Sequence, residues 1–511
     1  MRCPNNNKKM TNPITHFLLL FISLIPLTSS TPTSTITLPL SHFTTHPKPV
    51  NTYDYLNHLA KTSLTRAHHL KNPNPVNINS NLNHLTKTSL TRPNQTHTHH
   101  LKTPNIINTY DNLNLNHQAK TILLSPQSYG AYSISLKFGT PPQTMNFVMD
   151  TGSSFVWFPC TTRYACDRCN FTSSTAIKTF LPKLSSTTKI VGCLNPKCGW
   201  LHNPNTESRC SSNSSESSTS TQICPPYVII YGSGTTGGIA LLDTLHLNDE
   251  NVPDFLVGCS IISTRQPAGI AGFGRGNSSL PSQLGLEKFS YCSLSRKFDD
   301  TTVTTALNLV GKSNSGEKIA GITYTPFVGN PNSPANRGFS DYYYLGLNEI
   351  FVGERKVKYR GDFLSPPDVV TGFGGTIIDS GTTLTYMSRE IFEPLAREFE
   401  GQVRQYKRVK EVEVMTGLRP CFNVSGFKTL SFPTLKFHFK GGAKMVFPLE
   451  NYFSFAGGEA EVVCLTIVTD PPGQETVSGP KVIFGNYQQQ NFYIEYDLKH
   501  NKLGFMEQKC N

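Results

Sequence analysis

Apolar positions along this chain come in short bursts. From Tyr132 to Phe138 they alternate with polar ones, the period-two signature of a strand with one buried face, and Pro141-Pro142 then turns the chain. Asn146–Met149 reads as a buried strand. Similar runs follow at Tyr227–Gly232, Thr325–Gly329, Tyr342–Gly353, Gly375–Asp379, Leu435–Phe439, Val462–Val468 and Val482–Gly485, each bounded by Gly, Pro or Asn. Such spacing predicts stacked β-sheets. Only Arg389–Val409 carries a convincing helical pattern, and Gly329–Gly338 is the best break between two near-equal halves.

Ahead of this body the pattern dissolves. Arg2, Lys8 and Lys9 precede the apolar run Phe17–Ile25 and the small residues Thr28, Ser29 and Ser30, which reads as a secretory signal over residues 1–30. The run is far shorter than the roughly 20 residues of a membrane span, so no membrane anchor is expected. Residues 507–511 carry neither a retention signal nor a hydrophobic tail. Residues 31–125 are rich in Asn, His, Thr and Pro, and they repeat. Asn57–Arg66 (NHLAKTSLTR) recurs as Asn83–Arg92 (NHLTKTSLTR), and Asn51–Asn57 (NTYDYLN) as Asn108–Asn114 (NTYDNLN). A unit so short and so poor in apolar residues cannot build a solenoid.

Composition and charge sharpen this division. The 511 residues are 37% hydrophobic but only 16% charged, with 38 Gly and 35 Pro, which favours β-structure with many turns over helical bundles. The net charge of +12 is uneven: residues 31–125 hold +6 and ten of the fifteen histidines. The basicity therefore belongs to a leader and does not make a nucleic-acid-binding surface. We read residues 31–125 as a basic prosegment that pairs with active-site carboxylates and inhibits its own protein. Acid would then release it, mainly by protonating those carboxylates and with help from the histidines.

The two halves of the body share a motif. Asn146–Ser154 (NFVMDTGSS) has its counterpart in Gly375–Thr383 (GTIIDSGTT), and each half later offers an apolar pair before glycine, Ile270-Ala271-Gly272 and Ile483-Phe484-Gly485. Duplicated lobes that each present one loop carboxylate predict two aspartates face to face. Two such carboxylates share a proton, so one can act as general base on a water and the other as general acid, without His, Cys, metal or cofactor. Gly152 and Gly381 permit close approach, and the Ser153 and Thr382 hydroxyls can bond the outer carboxylate oxygens.

On Asp150-Thr-Gly-Ser-Ser, Asp379-Ser-Gly-Thr-Thr, Tyr231-Gly232 and the two apolar-apolar-Gly elements, residues 126–511 resemble a pepsin-like (A1-type) aspartic protease of the nepenthesin-like plant branch. The resemblance implies an all-β, bilobal fold of two pseudo-twofold-related lobes with a few short helices. It divides the chain into an N-terminal lobe (126–328) with a Cys-rich insertion, a linker (329–340) and a C-terminal lobe (341–511). Asp150 and Asp379 would be the catalytic pair, Thr151 and Ser380 would brace the loops, Tyr231 would sit on a flap, and Trp157 would hydrogen-bond its phenol. The second loop departs from the pattern by carrying Ser380 for threonine, which keeps the hydroxyl. The implied protein is a monomeric endopeptidase acting on peptides or proteins at acidic pH, made as a zymogen in the secretory pathway. Its destination would be the apoplast or cell wall, with the vacuole as the alternative. The competing function is a catalytically inactive protease-fold binder or inhibitor; a cell-wall structural protein fits the leader alone.

Cysteines and sequons agree with that route. Apart from Cys3, nine cysteines (160, 166, 169, 193, 198, 210, 224, 259, 292) precede the linker and three (421, 464, 510) follow it. Both counts are odd, so full pairing needs a bridge across the linker. Cys421–Cys464 leaves Cys510 to cross, and Cys259 is the preferred partner. Cys166-x-x-Cys169 lacks the second ligand pair of a zinc site. Candidate glycosylation sites are Asn94, Asn170, Asn213, Asn277 and Asn423.

Overall fold

In the computed structural model, the described residues are 33–37, 52–71 and 120–510. Within the last span, 128–129, 170–176, 203–209, 211–221, 233, 248–249, 267, 296–303, 312–318, 332–336, 360–365, 457–460 and 476–477 are excepted. The second repeat and Asn94, Asn170 and Asn213 lie outside the described residues. Asn277 is exposed and Asn423 half-buried.

The body is mostly β, as expected, and the duplication persists in its strand pairing. Strand Gln143–Asp150 lies parallel to Gly269–Gly272, with Gly272 opposite Asp150, and Gly269–Gly272 pairs antiparallel with Trp157–Pro159 through Ile270 and Trp157. In the second half, Thr376–Ile378 lies parallel to Val482–Phe484, which pairs antiparallel with Thr385–Met387. Each aspartate-bearing strand is thus held by its apolar-apolar-Gly strand. Phe273 N–H donates to Asp150 O at 2.7 Å, and Asp379 N–H donates to Phe484 O at 3.0 Å.

The halves are interleaved. A single 15-stranded sheet takes strands from both. Lys288–Cys292 pairs antiparallel with Phe492–Asp497, and Thr323–Pro326 pairs with Lys502–Glu507 near the chain's end. The disulfides follow from this weave. Cys510 is bonded to Cys292, not to Cys259 as the sequence suggested. Cys292 lies opposite Tyr493 in the sheet, and the next strand carries the chain back towards it. Cys259 lies in register with Phe158, two residues before Cys160, and is bonded to Cys160. The other bridges are Cys166–Cys169, Cys193–Cys210, Cys198–Cys224 and Cys421–Cys464.

Two helical expectations need correction. The run Arg389–Val409 is helical only over Arg389–Gln402. Val403 and Tyr406 then turn into the core, Lys407–Arg408 joins the edge of strand Cys421–Asn423, and a second helix spans Lys410–Thr416. The leader is also not uniformly irregular. Thr52–Lys71 forms a 20-residue helix, α1, that buries Leu56, Leu59, Ala60, Ser63, Arg66, Ala67, Leu70 and Lys71 along one face. These recur every three or four residues, with Asp54 in the first turn and His68, His69 and Lys71 in the last, as the helix dipole favours. A strand at Thr33–Thr37 pairs antiparallel with Thr429–Pro433.

Candidate active site

Strand Gln143–Asp150 ends on Asp150 and strand Thr376–Ile378 runs straight into Asp379, so the sheets deliver both carboxylates to one point. The two loops brace each other. Thr151 N–H donates to Ser380 Oγ at 3.1 Å, and Ser380 N–H donates to Thr151 Oγ1 at 2.9 Å. The Ser380 hydroxyl continues to Met149 O at 2.9 Å. Serine therefore supplies every bond this brace asks of a threonine.

Around each carboxylate the arrangement repeats. Gly152 N–H donates to Asp150 Oδ1 at 3.0 Å and Ser153 Oγ to Oδ2 at 2.6 Å. Gly381 N–H donates to Asp379 Oδ1 at 2.9 Å and Thr382 Oγ1 to Oδ2 at 2.5 Å. The glycines are needed for space. A Cβ on Gly152 would lie 2.7 Å from Asp379 Oδ1, and one on Gly381 would lie 2.3 Å from Asp150 Oδ1.

Tyr231 stands at the tip of the hairpin formed by Tyr227–Ile230 and Thr235–Leu247. Its hydroxyl accepts a hydrogen bond from Trp157 Nε1 at 2.9 Å. Burial raises the Tyr231 phenol far above its usual range, so it stays protonated.

Between flap and aspartates lies α1. Arg66 reaches down with Nη2 at 2.6 Å from Asp150 Oδ1 and Nε at 3.2 Å from Asp379 Oδ2. The helix backbone is tight against the flap, since a Cβ on Gly232 would lie 2.1 Å from Arg66 Cα. Ser63 Oγ accepts the Leu384 N–H at 2.9 Å, and Asn57 Nδ2 donates to Met415 O at 2.5 Å. At the far end, His68 Nε2 lies 2.6 Å from Asp470 Oδ1, and Lys71 Nζ donates to the Tyr386 hydroxyl at 2.7 Å.

Electrostatics separates the two aspartates. Burial, with the like charge of Asp379, pushes Asp150 up despite the opposing pull of Arg66. For Asp379 burial also pushes up, but Arg66, Thr382 and the Gly381 amide outweigh it and the carboxyl ends below its usual value. With Arg66 in place, identical side chains thus acquire different proton affinities, and the two carboxyls titrate as a pair.

Sequence reasoning placed Asp150, Asp379, Thr151, Gly152, Ser153, Ser380, Gly381, Thr382, Tyr231, Gly232 and Trp157 around one cleft, and the structure brings all of them together there. It missed Arg66, Ser63, His68 and Lys71 of α1, and Tyr386 and Asp470 of the second half. The repeat that contains Ser63 and Arg66, read together with the apolar spacing of Leu56, Leu59, Ala67 and Leu70, was the available signal.

Comparison with known proteins agrees with this geometry. Two family models match, Xylanase inhibitor N-terminal over residues 132–304 and Xylanase inhibitor C-terminal over 342–507. A probable aspartyl protease of Arabidopsis thaliana is 32% identical over 430 residues, covering 75% of this chain and 83% of that protein. The chain belongs to the pepsin-like aspartic protease family, in its nepenthesin-like plant branch. Aspartic proteinase nepenthesin-1 of Nepenthes gracilis is 31% identical over 392 residues, with 75% and 78% covered. Among solved structures, edgp matches this family member with a TM-score of 0.57 at 19% identity, covering 77% of this chain and 95% of that one. Basic 7S globulin from soybean matches with a TM-score of 0.54 at 18% identity, covering 76% and 95%. These two likenesses concern the fold alone.

Proposed function

We propose that this chain is a secreted aspartic endopeptidase made as a zymogen, active at acidic pH on peptide or protein substrates. The carrying observation is the intact dyad: two braced loops whose carboxylates converge on one guanidinium, a cation standing where a polarised water and a scissile amide would sit. With α1 withdrawn, the ionised aspartate takes a proton from a bound water, which attacks the peptide carbonyl. The protonated aspartate hydrogen-bonds the developing oxyanion, and a proton passes to the leaving nitrogen. Tyr231, held by Trp157, closes the flap over the substrate. Arg66 blocks each of these steps while it is in place, because it neutralises the base and fills the site.

The names of the matching family models favour a second reading, a protease-fold inhibitor without activity of its own. Both aspartates, the loop hydroxyls and the Tyr231–Trp157 pair argue for the enzyme. Acid incubation of the purified full chain with a denatured protein decides between them. The expected result is pepstatin-sensitive cleavage accompanied by loss of the leader. No cleavage between pH 3 and 6 would leave the inhibitor reading standing.

A further inference from the structure

The C-terminal half holds a recess that α1 fills with a basic side chain. Lys71 is fully buried there. Its Nζ donates to the Tyr386 hydroxyl at 2.7 Å, lies 3.5 Å from Asp470 Oδ2 and stands 4.8 Å from the Tyr386 ring centroid. The Tyr386 hydroxyl donates in turn to Asp470 Oδ2 at 2.6 Å, and His68 covers Oδ1. The two basic side chains that meet the Asp470 carboxylate oxygens, Lys71 and His68, therefore both come from the leader.

The body's own cations are held mainly by other partners, although Lys481 also feels the Asp470 charge. Arg389 is engaged by Glu393 and Glu475, each at 3.0 Å, and reaches only the backbone carbonyl of Asp470. Lys481 lies 3.9 Å from Glu390 and stands over the Phe373 ring. Glu390, Glu393, Glu475 and Asp470 thus face Arg389, Arg419 and Lys481, four acidic groups to three basic ones around a buried carboxylate. With α1 gone, water can reach this carboxylate, so the cost falls on whatever next covers it: a side chain that buries Asp470 again without bringing a cation leaves the charge unpaired.

The recess is tied to the Asp379 loop through the sheet. Tyr386 lies on the strand that follows the Asp379 loop and is in register with Val468, two residues before Asp470. Lys71 is five residues beyond Arg66 on the helix, a rise of about 7.5 Å. An extended peptide covers that distance in roughly two residues.

We propose that the Tyr386–Asp470 recess is a substrate subsite selecting a lysine or arginine side chain about two residues from the scissile bond. The proposal rests on the endopeptidase reading. Lys71 occupies the subsite in the zymogen, with its ammonium on the tyrosine hydroxyl and its stem along the ring. An acidic or neutral side chain would leave Asp470 buried without a cation.

The test uses full-length protein that has processed itself in acid, with internally quenched peptides carrying Lys, Arg, norleucine or Glu at each of three positions on either side of one scissile bond. Basic residues should exceed norleucine in kcat/KM by roughly 10- to 100-fold at one position, chiefly through KM. In Asp470→Asn that ratio should collapse to within about twofold, while Tyr386→Phe, which keeps the ring, should lower it partially. A uniform response to basic residues at every position, or a preference that survives Asp470→Asn, overturns the subsite and leaves the endopeptidase reading intact. If no peptide is cleaved in an Asp150-dependent way, the endopeptidase reading fails and the subsite falls with it.

Discussion

At the scale of single residues, chemistry is concentrated in groups whose replacements are nearly isosteric. Asp150→Asn or Asp379→Asn should fold normally yet lose turnover by roughly 10²–10⁴-fold each, together with self-processing; turnover on a quenched peptide and the size of the secreted chain report both. Trp157→Phe deletes the donor to Tyr231 and leaves a small void, because Trp157 is fully buried. A buried hydrogen bond of this kind is worth about 1 kcal/mol, so kcat/KM should fall several-fold and stability should fall by about 1–3 kcal/mol. These residues were legible in the sequence because the chemistry itself requires the short motif Asp-(Thr/Ser)-Gly, and duplication supplied the partner. Asp470 and Tyr386 were not. A lone aspartate in a Thr-Asp-Pro loop carries no local mark of burial, and Tyr386 matters only because α1 brings a lysine to it.

The helix α1 defines the element scale, and its docking depends on pH. Burial and the neighbouring Arg66 charge depress His69 to about 4, against about 6.5 in a released peptide. The docked helix therefore binds fewer protons than the free one, so docking is fully favoured above pH 6.5 and is weakened as pH falls from there to 4. That difference amounts to roughly a hundredfold in the docking constant at pH 4. Asp470 acts in the same direction, over a lower pH range. Burial alone would raise it, but His68, Tyr386 and Lys71 hold it below its usual value. Its contribution to docking is present above pH about 3.8 and is lost only below that. Replacing His69 with Gln should accordingly move the activation midpoint to lower pH, read as the pH at which half the chain loses its leader in a fixed time. Arg66→Met should act in the other direction, giving measurable cleavage near neutral pH, because an apolar side chain cannot neutralise the dyad. The leader's charge pointed to such a lock, but its helix was hidden. Asn and Thr are weak helix formers, so α1 is held by the apolar stripe it packs into the cleft.

For the whole molecule, the duplicated lobes were readable from paired motifs, and odd cysteine counts foretold a bridge across the linker. Its partner was not readable, because only the sheet register brings Cys292 beside the returning C-terminal strands. The Cys292–Cys510 bridge spans 218 residues of sequence. In the chain-entropy account, a loop of that length contributes about 5 kcal/mol, more than engineered bridges commonly deliver. Cys510→Ser should lower Tm by roughly 5–10 °C in a thermal scan at neutral pH. The same weave bears on what happens when the chain is cut. Strands from either side of segment 329–340 are hydrogen-bonded into one sheet and closed by this disulfide. A protease that nicks that segment therefore makes a two-chain protein, not two fragments. The nicked protein should run as one band without reductant and as two with it, and should still cleave substrate.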